Sequence, residues 1–179
     1  MQDRRKEILD AGLTLLREQG LAGLTQPRVA AMTGLRQSHL TYYYPTRSDL
    51  LEAVARVAME ALVSAVRALF SGISSVEQGA DRIASLLVRH ENSRVLAALA
   101  QAADQEPAVR AVFNELLGDL VAEIGGLLEK LKLPASEASI DLAHALIVGL
   151  AVIDLATNRR NGKGRSKAAL ELAFGLMKR

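Results

Sequence analysis

The sequence predicts an all-α protein of about nine helices, and three observations carry that prediction. Half of the 179 residues are hydrophobic, yet aromatic residues make up only 3%. Leu and Ala dominate; both form helices readily, whereas strands draw on the β-branched and aromatic side chains that are sparse here. Apolar residues recur at three- and four-residue spacing, with no period-two run. Ser, Thr, Gly and Pro fall where such runs begin and stop.

In chain order, the first helix is predicted from Arg4 to Glu18, with Ile8, Ala11, Gly12, Leu15 and Leu16 as its apolar stripe and Gly20 as its stop. Thr25 is placed as the N-cap of a short second helix, with Pro27 in its first turn, where a missing N–H costs little. Gly34 ends it. A third helix covers "LRQSHLTYYY" and is stopped by Pro45. Thr46 caps a long fourth helix from Arg47 to about Phe70. Ser75 and Gln78 resemble a capping box for a fifth helix ending near His90. Asn92 or Ser93 starts a sixth, to about Ala103. Pro107 opens a seventh to about Lys132, with Gly125 and Gly126 as a weak spot. Pro134 and Ser136 precede an eighth, to about Thr157. Ser166 is placed as the cap of the ninth, after a flexible polar loop, "NRRNGKGRSK".

Composition narrows the function. Without cysteine there are no disulfides and no cysteine-metal sites. The three histidines are scattered and make no zinc site. No glycine-rich phosphate loop and no local Ser/His/Asp pattern is present, so an enzyme and a cofactor are not expected. The N-terminus leads into an amphipathic run rather than a signal-peptide core, which points to the cytoplasm. The most apolar stretch, Leu142 to Ile153, is short for a membrane span and reads as a buried helix. The charge is uneven. Residues 1–51 hold seven Lys/Arg and five Asp/Glu, residues 52–158 eight and fourteen, and residues 159–179 seven and one. A basic N-terminal part suits an anionic partner. The basic loop near the C-terminus reads as a solvated connector rather than a second nucleic-acid patch.

Ala30, Gly34 and Leu40 stand at the spacing A-x3-G-x5-L. A small Ala lets the next helix cross closely, Gly34 can take the left-handed conformation of a sharp turn, and Leu40 plugs the inner face of the following helix. This is the mechanics of a helix-turn-helix, whose second helix enters the DNA major groove. All three tyrosines of the chain, Tyr42, Tyr43 and Tyr44, fall in that helix. At about 100° per residue from Leu40, Tyr44 returns to the core, Tyr43 lies on the flank, and Tyr42 faces out with Ser38, flanked by His39 and Thr41. Arg47, opening the fourth helix, is placed as a phosphate clamp. Arg36, Gln37 and His39 are the candidate base readers, since Arg pairs with guanine and Gln with adenine. Thr25, Gln26 and Arg28, at the start of the second helix, complete the DNA-binding set.

The stretch "GLTQPRVAAMTGLRQSHLTYYYPTRSDLLEAV" resembles the DNA-binding region of the tetracycline-repressor-like (TetR) family, over residues 4–54. Thr25, Val29-Ala30, Gly34, Leu40, Tyr42 and Leu50 follow the family pattern. Thr41 stands where the family usually has its first tyrosine, Tyr44 where it has Phe, and Arg47 where it has Lys; Pro27 is unusual. His39 replaces a smaller residue and is expected to shape operator choice. The resemblance implies a homodimeric transcription regulator, most often a repressor, that binds a palindromic double-stranded DNA operator and is released by a small-molecule inducer. A regulator without a ligand, an activator, and more distantly a small helical enzyme using His90 or His144 stay open. The division implied is residues 1–46 for DNA binding and 47–179 for a helical bundle that dimerises and binds ligand.

For the ligand, the sequence offers His90, Asn114 and His144; His144, in a strongly apolar helix, reads first as a core histidine. For the dimer, the eighth helix is apolar nearly all round and must be covered on two sides, of which one subunit covers one. Ala145 and Gly149 permit close approach, Leu146, Leu150 and Ile153 extend the surface, and the ninth helix adds Ala169, Leu172 and Leu176.

Overall fold

The computed structural model describes residues 4–158 and 160–178. Among them nine α-helices and one 3-10 turn follow one another, with no strand. They are α1 (Arg4–Gln19), the 3-10 turn (Leu21–Gly23), α2 (Gln26–Thr33), α3 (Gln37–Tyr43), α4 (Arg47–Ser71), α5 (Val76–Leu87), α6 (Glu91–Gln105), α7 (Pro107–Lys130), α8 (Glu137–Thr157) and α9 (Gly162–Met177).

The chain forms two compact units. The first holds the chain up to Ala61 together with Arg94–Leu116, so it contains α1 to α3, most of α6 and the first parts of α4 and α7. Its core gathers Ile8, Leu16, Val29, Leu40, Leu50, Leu51, Val54 and Leu99, each with 2% exposure or less. The second unit holds Leu62–Ser93 and the chain from Leu117 onward. There α5 packs most extensively on α9, with Ile73, Ile83, Leu128, Leu170 and Phe174 buried.

Local chemistry sets the helix ends. Gly34 takes φ 66° and ψ 14° after α2. The N–H of Leu35 then donates to the Ala30 carbonyl at 3.0 Å and that of Gly34 to Ala31 at 3.4 Å. This closes α2 with a left-handed glycine and satisfies two carbonyls that would otherwise be orphaned. Thr46 and Asp49 form a reciprocal box before α4: the Thr46 N–H donates to Asp49 Oδ2 at 2.9 Å and the Asp49 N–H to Thr46 Oγ1 at 3.1 Å. At α5, Ser75 Oγ accepts from the Gln78 N–H, and the Gln78 carboxamide reaches the N–H of Ser74, one residue earlier than a capping box requires.

Several expectations are corrected. α3 starts at Gln37, because Arg36 is extended at φ −71° and ψ 146°. It ends at Tyr43, so the 100° extrapolation fails at Tyr44. A residue before proline is pushed out of the helical region, and Tyr44 sits at φ −134° and ψ 89°, half-buried rather than in the core. α5 stops at Leu87, leaving His90 between helices at φ 56°. α6 starts at Glu91, and α7 runs unbroken through Gly125 and Gly126 to Lys130. Ser166 is no cap: α9 begins at Gly162, and Ser166 is buried inside it. Lys163 pairs with Asp81 at 2.9 Å and Lys167 with Glu77 at 4.0 Å. These contacts to α5, with the burial of Ser166, outweigh the poor helix propensity of Gly162 and Gly164. The polar loop therefore shrinks to a few residues, of which Arg159 lies outside the described ones. Finally, α8 spans Glu137–Thr157 and is long and apolar enough, by length and composition alone, to cross a membrane. It is not a buried helix either, since only Ala143, Ala151 and Asp154 are buried.

Candidate nucleic-acid interface

The sharp turn at Gly34 delivers α3 with one buried side chain, Leu40, at 0% exposure. The rest of its surface is turned outward. Arg36, Gln37, Ser38 and His39 are exposed, and Tyr42 is 82% exposed. The Tyr43 ring meets that of Tyr42 edge to face at 5.3 Å and is half-buried. Thr41 is half-buried too, and its hydroxyl donates to the Ser38 carbonyl at 3.1 Å, inside the helix.

Two polar links hold α2 against its neighbours. Gln26 Nε2 donates to the Tyr44 carbonyl at 2.9 Å, which joins the start of α2 to the end of α3. Arg28 Nη1 donates to Gln19 Oε1 at 2.6 Å and remains exposed. Thr25 occupies the N-cap of α2, but its hydroxyl makes no capping bond. The structure thus gathers nine of the ten candidate DNA contacts on α2, α3 and the residues just before them. Arg47 opens α4 and is exposed, with Glu106 Oε1 4.0 Å from its guanidinium. Glu106 also accepts from the Ser48 hydroxyl at 2.9 Å.

Glu106 and Arg94 are contacts that sequence reasoning missed. Arg94 Nη1 donates to the Arg17 carbonyl at 2.8 Å, near the end of α1. α6 is therefore tied near its start to α1 and just past its end to α4. These partners lie 77 and 58 residues apart in the chain, so no local pattern announces them.

Of the ligand candidates, Asn114 belongs to the first unit and His90 and His144 to the second. His90 Nε2 lies 2.8 Å from Asp154 Oδ2, a carboxylate 8% exposed on α8. Asn114 is exposed on α7. His144 is half-buried on α8; burial pushes its pKa below the ordinary 6.5, and the nearby Asp141 carboxylate partly opposes that. In the second unit an open groove of about 290 Å³ lies between α4 and α7, with Arg67, Phe70, Glu123 and Lys130 in its wall. No group of His, Cys, Asp and Glu able to hold a metal occurs among the described residues.

The α8–α9 surface is largely uncovered. Leu142, Val152, Ile153, Leu172 and Leu176 are between 43% and 66% exposed. Ala145 is exposed, and Leu146, Gly149, Leu150 and Ala169 are partly so.

A glycine-turned helix pair that presents a polar, aromatic helix has the geometry of a helix-turn-helix. Residues 8–54 match the model of the bacterial regulatory proteins of the tetR family. The match runs from α1 through α3 to the start of α4, and there this chain is similar to those regulators. Solved structures share its whole fold. A transcriptional regulator from Rhodococcus sp. Rha1 aligns with a TM-score of 0.82 at 18% identity, over 98% of this chain and 96% of that one. A Saccharomonospora viridis protein solved with choline gives 0.78 at 16%, over 95% and 94%. The multidrug binding protein EbrR, complexed with ethidium, gives 0.70 at 24%, over 96% and 98%. No protein with a curated description matches.

Proposed function

We propose that the protein is a ligand-responsive repressor that binds a palindromic operator as a homodimer and leaves it when a small molecule binds. The observation that carries this is the outward face of α3, with Arg36, Gln37, Ser38, His39 and Tyr42 all exposed around the single buried Leu40. Arg36, Gln37 and His39 read base edges. Tyr42, Thr25 and Arg47 contact backbone phosphates, with Gln26, Arg28, Ser38 and Thr41 beside them. Residues 1–46 form the DNA-binding domain and residues 47–179 the ligand-binding and dimerisation domain, and the protein works in the cytoplasm.

The uncovered apolar surface of α8 and α9 supports a second copy as its partner. Two such pairs related by a two-fold axis give a four-helix bundle, and the same axis recurs in the operator as an inverted repeat. The effector is an apolar or amphipathic small molecule, because the chain has no Trp and only six aromatic residues for stacking. His90, Asn114 and His144 are its candidate polar contacts. Selection of bound duplexes from a random pool is the test. An inverted repeat with half-sites about one helical turn apart is the expected result; enrichment of no sequence would refute the reading. Substituting Arg47→Ala should weaken binding to all duplexes alike and lower the slope of log affinity against log salt by roughly one unit.

A further inference from the structure

One cation near the face of α3 has no role in the contacts assigned so far. Arg4, the first residue of α1, stands with Leu35, His39, Tyr42 and Tyr43 around an open cleft of about 350 Å³. The edge-to-face tyrosine pair forms one wall of it. Among the described residues Arg4 pairs with Glu7, at 2.5 Å, and its side chain stays 53% exposed. One carboxylate engages part of a guanidinium's five donors. An exposed ion pair one helical turn long contributes little and gives way readily to a stronger anion. The cleft thus combines an available guanidinium, the Tyr42 and Tyr43 phenols and the imidazole of His39 with the apolar surface of Leu35 and the tyrosine rings. That pairing of a cationic rim with an apolar floor suits a phosphate carried on a deoxyribose. Two of its walls, His39 and Tyr42, belong to the exposed face of α3, so a duplex lying on that face brings its backbone to the cleft.

We propose that this cleft seats one phosphodiester of the DNA backbone and that Arg4 supplies the phosphate contact from α1, outside the helix-turn-helix. The inference rests on the DNA-binding reading above. Its test is operator affinity at several salt concentrations for the full-length protein, Arg4→Ala, Arg4→Lys and Arg47→Ala, together with the consensus each selects from random duplexes. Arg4→Ala is expected to lower the salt slope by about one unit and to weaken operator and unrelated DNA equally, with the selected consensus unchanged. Arg4→Lys should keep the wild-type slope. Because Arg4 is exposed, Arg4→Ala should retain the wild-type unfolding curve. An unchanged slope for Arg4→Ala beside a lowered one for Arg47→Ala would overturn the Arg4 contact alone. A changed consensus would also overturn it, by making Arg4 a base reader. Failure of the wild type to bind any duplex would instead remove the DNA-binding reading itself.

Discussion

α3 is seven residues long and α8 twenty-one, yet each buries only a few side chains. α3 buries Leu40 and turns outward Gln37, Ser38, His39 and Tyr42; α8 buries Ala143, Ala151 and Asp154 and turns outward Leu142, Val152 and Ile153. Water solvates the first face well, so α3 can stay uncovered at little cost. The second face is different. Each large aliphatic side chain left half in water forgoes about half of the roughly 1.5–3 kcal/mol that full burial contributes, and α9 adds Leu172 and Leu176 to the same exposed surface. A patch of that kind on a globular protein marks a place for another apolar surface. Exposure alone does not distinguish a ligand-reading face from an assembly face; the chemistry of what is exposed does.

The comparison breaks most sharply at the α8–α9 face. Ile153→Glu combined with Leu172→Glu should abolish dimerisation, since unpaired buried charge costs about 3–5 kcal/mol and weakens association more than about 100-fold. Both side chains are exposed in the single chain, so helix content should be kept. Sedimentation and circular dichroism check the two halves of this expectation, and operator binding should fall with the dimer although α3 is untouched. A stable dimer would place the interface elsewhere.

At α3 the expected effect is smaller and confined to sequence preference. Gln37→Ala should relax discrimination at one position of each half-site by about 1–3 kcal/mol, and His39→Ala at a neighbouring position by less. The dimer should persist in both. Identical consensus sites for wild type and variants would show that neither side chain reads a base.

The smallest effect concerns His144 on α8. Burial favours its neutral ring in the folded chain and holds its pKa below 6.5. The unfolded chain therefore binds the proton first as pH falls. The contribution of this group to stability is full above about pH 6.5 and declines as pH drops below it, until the folded pKa is passed. Thermal unfolding between pH 7.5 and 5 should show a shallower fall for His144→Asn than for wild type; equal slopes would mean that the ring is not held neutral.

What the sequence made legible is local. Gly34, Leu40 and the Thr46 cap act over three to six residues, and each stands where spacing and capping rules put it; the Asp49 side chain that completes the box at Thr46 is the structure's addition. The outward placement of Tyr42 followed from one helical rotation. Failures cluster where a distant contact or a helix end decides. The start of α9 depends on ion pairs to α5, which no cap signal encodes. Tyr44 departs from the helical rotation because α3 ends one residue before it. The partner of His90 lies 64 residues away.

The two ties of α6 have a geometric consequence. From Arg94 to Glu106 the chain rises about 18 Å at 1.5 Å per residue. Bonds at the two ends of that span fix α1 and α4 against one baseline rather than at one pivot. An error of about 1 Å at either end corresponds to a tilt of only about 3° over this length. α3 lies between those two helices in the chain, so its orientation against them inherits that tolerance, set by a guanidinium on a carbonyl and a serine hydroxyl on a carboxylate.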